Sequence, residues 1–177
     1  SFTVILPNNF TISLLLEKLL FPIILLVFFL KTSKTGIVFI LKPIFLKKQT
    51  EITLIANGVM VDRALKVSEH FEKLGVDIGV INCHTIKPLD ENFLLNSIQR
   101  SKIVMSLEEH SHIGGLGSAI SDIISEKCYD HKIAFKKMAL PDTFPEKYGS
   151  QNLLIDHYGL GVKKIIKEVE KLLSMVY

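Results

Sequence analysis

The chain is 177 residues long, 48% hydrophobic and 22% charged, with six Pro, ten Gly, two Cys and no Trp, which suits one globular domain of ordinary size plus part of a second. A formal net charge of +3 over this length is too weak to point to nucleic acid. Two cysteines, Cys83 and Cys128, exclude a multi-disulfide framework and point to a reducing compartment.

The charge is unevenly spread. Residues 1–50 contain six Lys, one Glu and no Arg, a balance of +5 that leaves −2 for the rest. The same segment holds seven of the 11 Phe and no Ala, Asp, Tyr or Met, so two kinds of sequence meet near residue 50. Leu19 to Leu30 is an unbroken apolar run of twelve residues. A membrane span needs about 20. Glu17 and Lys18 stop the run from extending backwards, and Pro22 interrupts any helix through it. A signal peptide fits poorly, because residues 1–16 supply no basic region and no small-residue cleavage site follows. Ile23 to Leu30 therefore reads as a buried strand. The lysines from Lys31 onward, which would flank a cytoplasmic membrane edge, keep a membrane-tethered alternative open. Ser1 is not an initiator Met, which fits a fragment and Met excision alike.

From Glu51 the pattern becomes regular. Ile52 to Ala56 predicts a strand, with Asn57-Gly58 as the turn after it. Val61, Ala64, Leu65, Val67, Ser68, Phe71 and Leu74 recur at helical spacing, with Gly75 as the stop. Val76 to Asn82 predicts a second strand, and Pro88-Leu89-Asp90 opens a helix over Glu91 to Gln99. Lys102 to Leu107 predicts a third strand. Gly114-Gly115-Leu116-Gly117 leads into a helix that presents Ala119, Ile120, Ile123, Ile124 and Cys128 on one face. Lys132 to Ala139 predicts a fourth strand, and a closing helix buries Val162, Ile165, Ile166, Val169, Leu172, Leu173 and Val176. Strands alternating with helices of this length mean an α/β fold in three layers, a mostly parallel sheet with helices on both faces.

In such sheets, ligands collect where strands end and helices begin. Three junctions qualify: Asn57-Gly58-Val59, Cys83-His84-Thr85, and the richest, Glu108-Glu109-His110-Ser111-His112-Ile113-Gly114-Gly115-Leu116-Gly117. The last is neither a dinucleotide fingerprint nor a Walker loop, and Glu108 and Glu109 beside it would repel a phosphate. His110 and His112 would share one face of a continuing strand, but a metal needs three or four ligands, and Cys83, His84 and Cys128 lack ligand spacing. Cys83 and His84 would point to opposite faces, which argues against a nucleophile pair. Glu108, Glu109 and His110 could do acid–base work or form a polar strand end that touches a partner. No catalytic residue and no metal site emerges.

The stretch from Ile52 onward resembles the C-terminal domain of the transketolase family, most closely the C-terminal-half subunit of split transketolases. The matching pieces are Thr53-Leu54-Ile55-Ala56-Asn57-Gly58, Thr85-Ile86-Lys87-Pro88-Leu89-Asp90, Glu108-Glu109-His110-Ser111, Gly114 to Ala119, Asp142-Thr143-Phe144 and His157-Tyr158-Gly159-Leu160, in the family's order. The resemblance implies two domains: 51–177 as the transketolase C-terminal domain, and 1–50 as the partial, drifted end of a pyrimidine-binding domain plus linker. Thr3 to Asn9 and Val27 to Leu30 resemble two strands of that upstream domain. It further implies a cytoplasmic enzyme that uses thiamine diphosphate and Mg to move two-carbon ketol units between sugar phosphates. Deoxyxylulose-phosphate synthase and the 2-oxo-acid dehydrogenase β subunit are related alternatives, and a non-catalytic anion- or protein-binding module is another.

In that family the C-terminal domain does not hold the cofactor. The chain alone is therefore expected to bind no thiamine diphosphate, to be inactive by itself, and to serve assembly. Its expected partner is an N-terminal half or subunit carrying the cofactor domains, in a homo- or hetero-dimer, with no nucleic acid and no membrane. Glu108, Glu109, His110, Gly114, Gly115 and Gly117 are the interface or loop candidates. Where the family usually places an arginine that binds the sugar phosphate, this chain reads Lys31-Thr32-Ser33-Lys34. Lys34 is the candidate there, but an ammonium lacks the bidentate fork of arginine.

Overall fold

A computed structural model describes residues 42–177 and, before them, only the backbone of four short strands: β1 (Val4–Ile5), β2 (Thr11–Ile12), β3 (Phe29–Ser33) and β4 (Gly36–Ile40). β1 pairs antiparallel with β2, and β3 with β4. Of the strand expected over Ile23 to Leu30, residues 23–28 lie outside the described residues, as does Lys34, while Phe29 and Leu30 fall in β3.

The main body runs β5 (Ile44–Lys47), β6 (Ile52–Ala56), α1 (Met60–Glu72), β7 (Gly79–Asn82), α2 (Glu91–Ile98), β8 (Ile103–Ser111), α3 (Leu116–Lys127), β9 (Ala134–Leu140), α4 (Gln151–His157) and α5 (Val162–Val176). These strands form one sheet in the order β5-β7-β6-β8-β9. β7, β6, β8 and β9 are parallel, and β5 alone runs antiparallel, along β7.

Alternation along the central strand sorts the core into two layers. Ile52, Leu54 and Ala56 pack against Met60, Ala64, Val67 and Phe71 of α1 and Ile165, Val169 and Leu172 of α5. Ile55 points the other way, onto Leu94 and Ile98 of α2 and Leu116, Ile120 and Ile123 of α3. Helices cover both faces, as the strand–helix alternation predicts.

Local chemistry explains where the elements stop. Gly75 takes a left-handed φ of 77° after α1, a conformation that costs glycine nothing. Asp90 caps α2 by accepting from the Phe93 amide at 3.1 Å. β7 starts at Gly79 rather than Val76, because side chains take the preceding carbonyls: Thr50 Oγ1 donates to Asp77 O at 2.9 Å and Ser68 Oγ to Ile78 O at 2.8 Å. β8 outruns its expected end at Leu107, since after a register shift Ser111 still pairs with Leu140.

Two elements have no counterpart in the expected pattern. β5 lies in the segment read as linker, so the sheet recruits residues before Glu51. α4 is a single seven-residue helix capped by Ser150, whose Oγ accepts from the Leu153 amide.

Leu54 is fully buried between β6 and the α1–α5 layer. Leu54→Ala is expected to cost about 2–5 kcal/mol, the range for a leucine deleted from a close-packed core. Urea unfolding monitored by circular dichroism should show a lower midpoint with an unchanged slope.

Candidate functional site

Chain order and sheet order locate the crevice. From β6 the chain moves to β7 on one side, then returns through α2 and passes β6 to form β8 on the other. The C-terminal ends of β6 and β8 therefore flank the point where the winding reverses, where an open α/β sheet offers its ligand crevice. Asn57-Gly58 stands on one side, and the segment from Glu108 to Gly117 on the other.

Glu108 decides what that crevice can accept. Its side chain is buried, with the residue only 1% exposed. Oε2 accepts from the Leu116 amide at 2.7 Å and Oε1 from the Gly117 amide at 2.8 Å. These are first-turn donors of α3, which a helix otherwise leaves for an external anion. The carboxylate is thus the anion that the helix dipole favours, supplied from within the chain.

The glycines make room for this arrangement. A Cβ on Gly115 would stand 2.0 Å from Glu108 Oε2. One on Gly117 would stand 2.7 Å from Lys137 Cδ and from Ser106 Oγ. Gly114 turns the chain with a φ of 73°, and its amide donates to Ser118 Oγ at 3.0 Å. Lys137 lies across Gly117 and donates from Nζ to His112 O at 3.3 Å. Beneath Gly117, Ser106 Oγ is buried without a hydrogen-bond partner among the described residues.

Glu109 closes the other half of the crevice. Its Oε2 accepts from Gln151 Nε2 at 2.7 Å, and its Oε1 sits 3.7 Å from where a Cβ on Gly58 would stand. Gly58 adopts a φ of 55°. Gln151 opens α4, and the same helix is clamped from α1. Arg63 donates through Nη1 to Asp156 Oδ1 at 2.6 Å and through Nη2 to Asn152 Oδ1 at 3.1 Å. Sequence reading does not reach these partners, Gln151, Asn152, Asp156 and Arg63, because nothing local marks an α1 residue as facing a helix 89 to 93 positions downstream. His110 and His112 remain at the surface, and His110 Nδ1 donates to Ser111 O at 3.2 Å.

Beside the turn, a cleft of 390 Å³ runs between α3 and the segment entering α2, with Gly114 and Gly115 in its wall. It mixes Glu91, Asp122 and Glu126 with Lys87 and Lys127. Lys127 and Glu91 are paired to each other. Among the described residues, no three His, Cys, Asp or Glu side chains lie together as metal ligands. A diphosphate–metal group therefore finds neither free first-turn amides of α3 nor carboxylates grouped as metal ligands among the described residues, which do not fit one.

The Cys83-His84 junction separates its two side chains. Cys83 is fully buried and donates weakly to Thr85 O at 3.7 Å, whereas His84 is exposed and shares a 2.8 Å hydrogen bond with Thr85 Oγ1. Burial, with the Asp90 charge adding to it, pushes the Cys83 thiol up to about 11. A thiol in that state is a poor nucleophile at neutral pH. Iodoacetamide at pH 8 should leave Cys83 unmodified in the native chain and alkylate it once urea unfolds the protein, as peptide mass spectrometry would read.

Gly115→Ala is expected to expel the Glu108 carboxylate and cost about 2–4 kcal/mol, because two buried amides lose their acceptor. Glu108→Ala should cost a similar amount. In the Glu108→Ala background the clash disappears, so Gly115→Ala should then be several-fold cheaper than alone. Strict additivity in urea unfolding would contradict the geometry.

The family model for the transketolase C-terminal domain matches residues 42–165. Over 124 residues the chain is 37% identical to 1-deoxy-D-xylulose-5-phosphate synthase of Pelotomaculum thermopropionicum, covering 70% of this chain and 19% of that protein. It is 33% identical to a 6-deoxy-6-sulfo-D-fructose transketolase subunit of Clostridium sp., covering 71% of this chain and 38% of the subunit. Among solved structures it is similar to a split-gene transketolase described as an inactive beta4 tetramer, with a TM-score of 0.68 and 31% identity over 77% of this chain and 43% of that one. The chain thus spans between a fifth and two fifths of the curated relatives it matches. On the strength of a match that begins just before β5 and runs into α5, the chain belongs to the transketolase C-terminal domain family.

Proposed function

We propose that this chain is the C-terminal, assembly-forming portion of a thiamine-diphosphate-dependent, transketolase-like enzyme that moves two-carbon ketol units between sugar phosphates. One observation carries the reading. The two anion-attracting positions at the C-terminal end of the sheet, the start of α3 and the Gly58 turn, are filled by the chain's own Glu108 and Glu109. A domain that spends its ligand crevice on internal carboxylates supplies a scaffold, and thiamine diphosphate with Mg belongs to a partner that carries the cofactor domains. The subunit organisation of the Clostridium relative and the beta4 assembly of the split-gene transketolase support a multi-chain arrangement, a homo- or hetero-dimer or a larger assembly.

In this reading residues 51–177 form the C-terminal domain, and 1–50 are the end of a pyrimidine-binding domain plus a linker whose β5 pairs onto that domain's sheet. Lys34 is the candidate contact to the sugar phosphate. The enzyme is cytoplasmic and works in pentose phosphate metabolism. No helix among the described residues is long and apolar enough to cross a membrane. The 37% identity to a deoxyxylulose-phosphate synthase supports one second reading, the corresponding portion of that enzyme.

Reconstitution tests both. The purified chain, given thiamine diphosphate, Mg²⁺, a ketose-phosphate donor and an aldose-phosphate acceptor, should show no turnover. Adding the cofactor-bearing subunit should restore it. Turnover by the chain alone would refute the scaffold role, and activity only with a 2-oxo-acid donor would select the synthase.

A further inference from the structure

The turn from β6 to α1 carries the single Asn-Gly pair of the sequence, Asn57-Gly58. Its backbone is held on either side: the Asn57 amide donates to Leu107 O at 3.3 Å, and Asn57 O accepts from the Met60 amide at 3.1 Å. Between those bonds lie two groups that nothing engages. The Asn57 side-chain amide and the Gly58 backbone N–H have no hydrogen-bond partner among the described residues. Asn57 is half-buried and Gly58 exposed, so water reaches the turn.

These two groups are the reactants of a ring closure. Gly58 N can bond to Asn57 Cγ to make a five-membered ring, and glycine brings no Cβ to obstruct the approach. The Cγ–Nδ2 bond breaks, and Nδ2 leaves as ammonia with the proton that Gly58 N gives up. Water then opens the succinimide. Cleavage on the Cγ side leaves aspartate at 57. Cleavage on the other side leaves isoaspartate, with the chain rerouted through Cβ and Cγ and the former main-chain carbonyl freed as a carboxylate. The net change is amide plus water to acid plus ammonia, with no oxidation or reduction. Other asparagines are tied up: Asn96 Nδ2 donates to Asn92 O, and Asn152 Oδ1 accepts from Arg63.

Either product sets a new charge in a turn that Glu109 already faces, with its Oε1 3.7 Å from a Cβ position on Gly58. Like charges so placed repel each other. Isoaspartate also rebuilds the acceptor of the Met60 amide. Glu109 in turn is the group that holds the start of α4, through Gln151.

We infer that Asn57-Gly58 is a self-modification site, where the folded chain deamidates by intramolecular attack and the acid so formed loosens α4 from Glu109. This does not depend on the scaffold role above. Incubating the full chain at pH 8, native and in urea, tests it by peptide mass spectrometry and an ammonia assay. The native chain should convert Asn57 to aspartyl and isoaspartyl forms, separable by chromatography. Its rate should lie within about tenfold of the unfolded rate, whereas a turn that reacted only through global unfolding would lag about 10³-fold or more. Asn96 and Asn152 should keep their amides in the native chain over the same time. Asn57→Gln, whose longer side chain must close a six-membered ring, should hold its mass. Retention of the Asn57 amide in the native chain, or conversion of Asn152 as fast as Asn57, would overturn the proposal. Hydrogen exchange across α4 should run several-fold faster in the aged form than in the fresh one, and equal exchange would overturn the link to Glu109.

Discussion

The carboxylate of Glu108 holds together the features around it. It lies at the end of β8, is withdrawn from water, and takes the two amides that open α3. An isolated buried carboxylate would be costly. Here, two short charge-assisted hydrogen bonds and the positive end of a twelve-residue helix offset that cost. The bonds in turn require a glycine at 115, where any side chain would enter the carboxylate's space, and they set how closely α3 approaches β8 and β9. Lys137 of β9 lies across the same turn, so three consecutive elements are registered by one side chain and two missing Cβ atoms.

That arrangement also separates fold from chemistry. The sheet reverses its winding between β6 and β8, the geometry on which many α/β enzymes build their sites. The amides and the backbone turn there are of the usual kind. Their ligands, however, are internal: Glu108 for the helix, Glu109 and Gln151 for the Gly58 side. A crevice filled in this way ties the C-terminal end of the sheet to the starts of α3 and α4. Membership of the transketolase C-terminal domain family accords with this division of labour, since the chain corresponds to only a part of its relatives.

The sequence shows the alternating core plainly, because burial on both faces of β6 and one-sided helices leave strong periodic signals. The stops at Gly75 and Asp90 are equally local and equally legible. What it hides is whatever depends on distant partners. Ile44 to Lys47 is only four residues long, follows Pro43 and has Lys42, Lys47 and Lys48 in or beside it, so only the edge of β7 reveals it as a strand. α4 is too short for periodicity to register and is held by Arg63 and Glu109 from other elements. Glu108 was legible as an acid beside glycines, and its sign argued against phosphate. That it serves as the helix's own anion needed the fold.

The clamp from Arg63 to α4 has a consequence for how the domain is made. Its partners, Asn152 and Asp156, lie 89 and 93 positions downstream. Synthesis at about 5–20 residues per second puts roughly 5–20 s between the emergence of Arg63 and that of the groups that hold it. Over that interval the apolar face of α1 and β6 has neither α4 nor α5 to cover it. The α2–α3 layer, built from nearer neighbours, is complete sooner. In chain order, the residues that close one side of the sheet are therefore all made before those that complete the other.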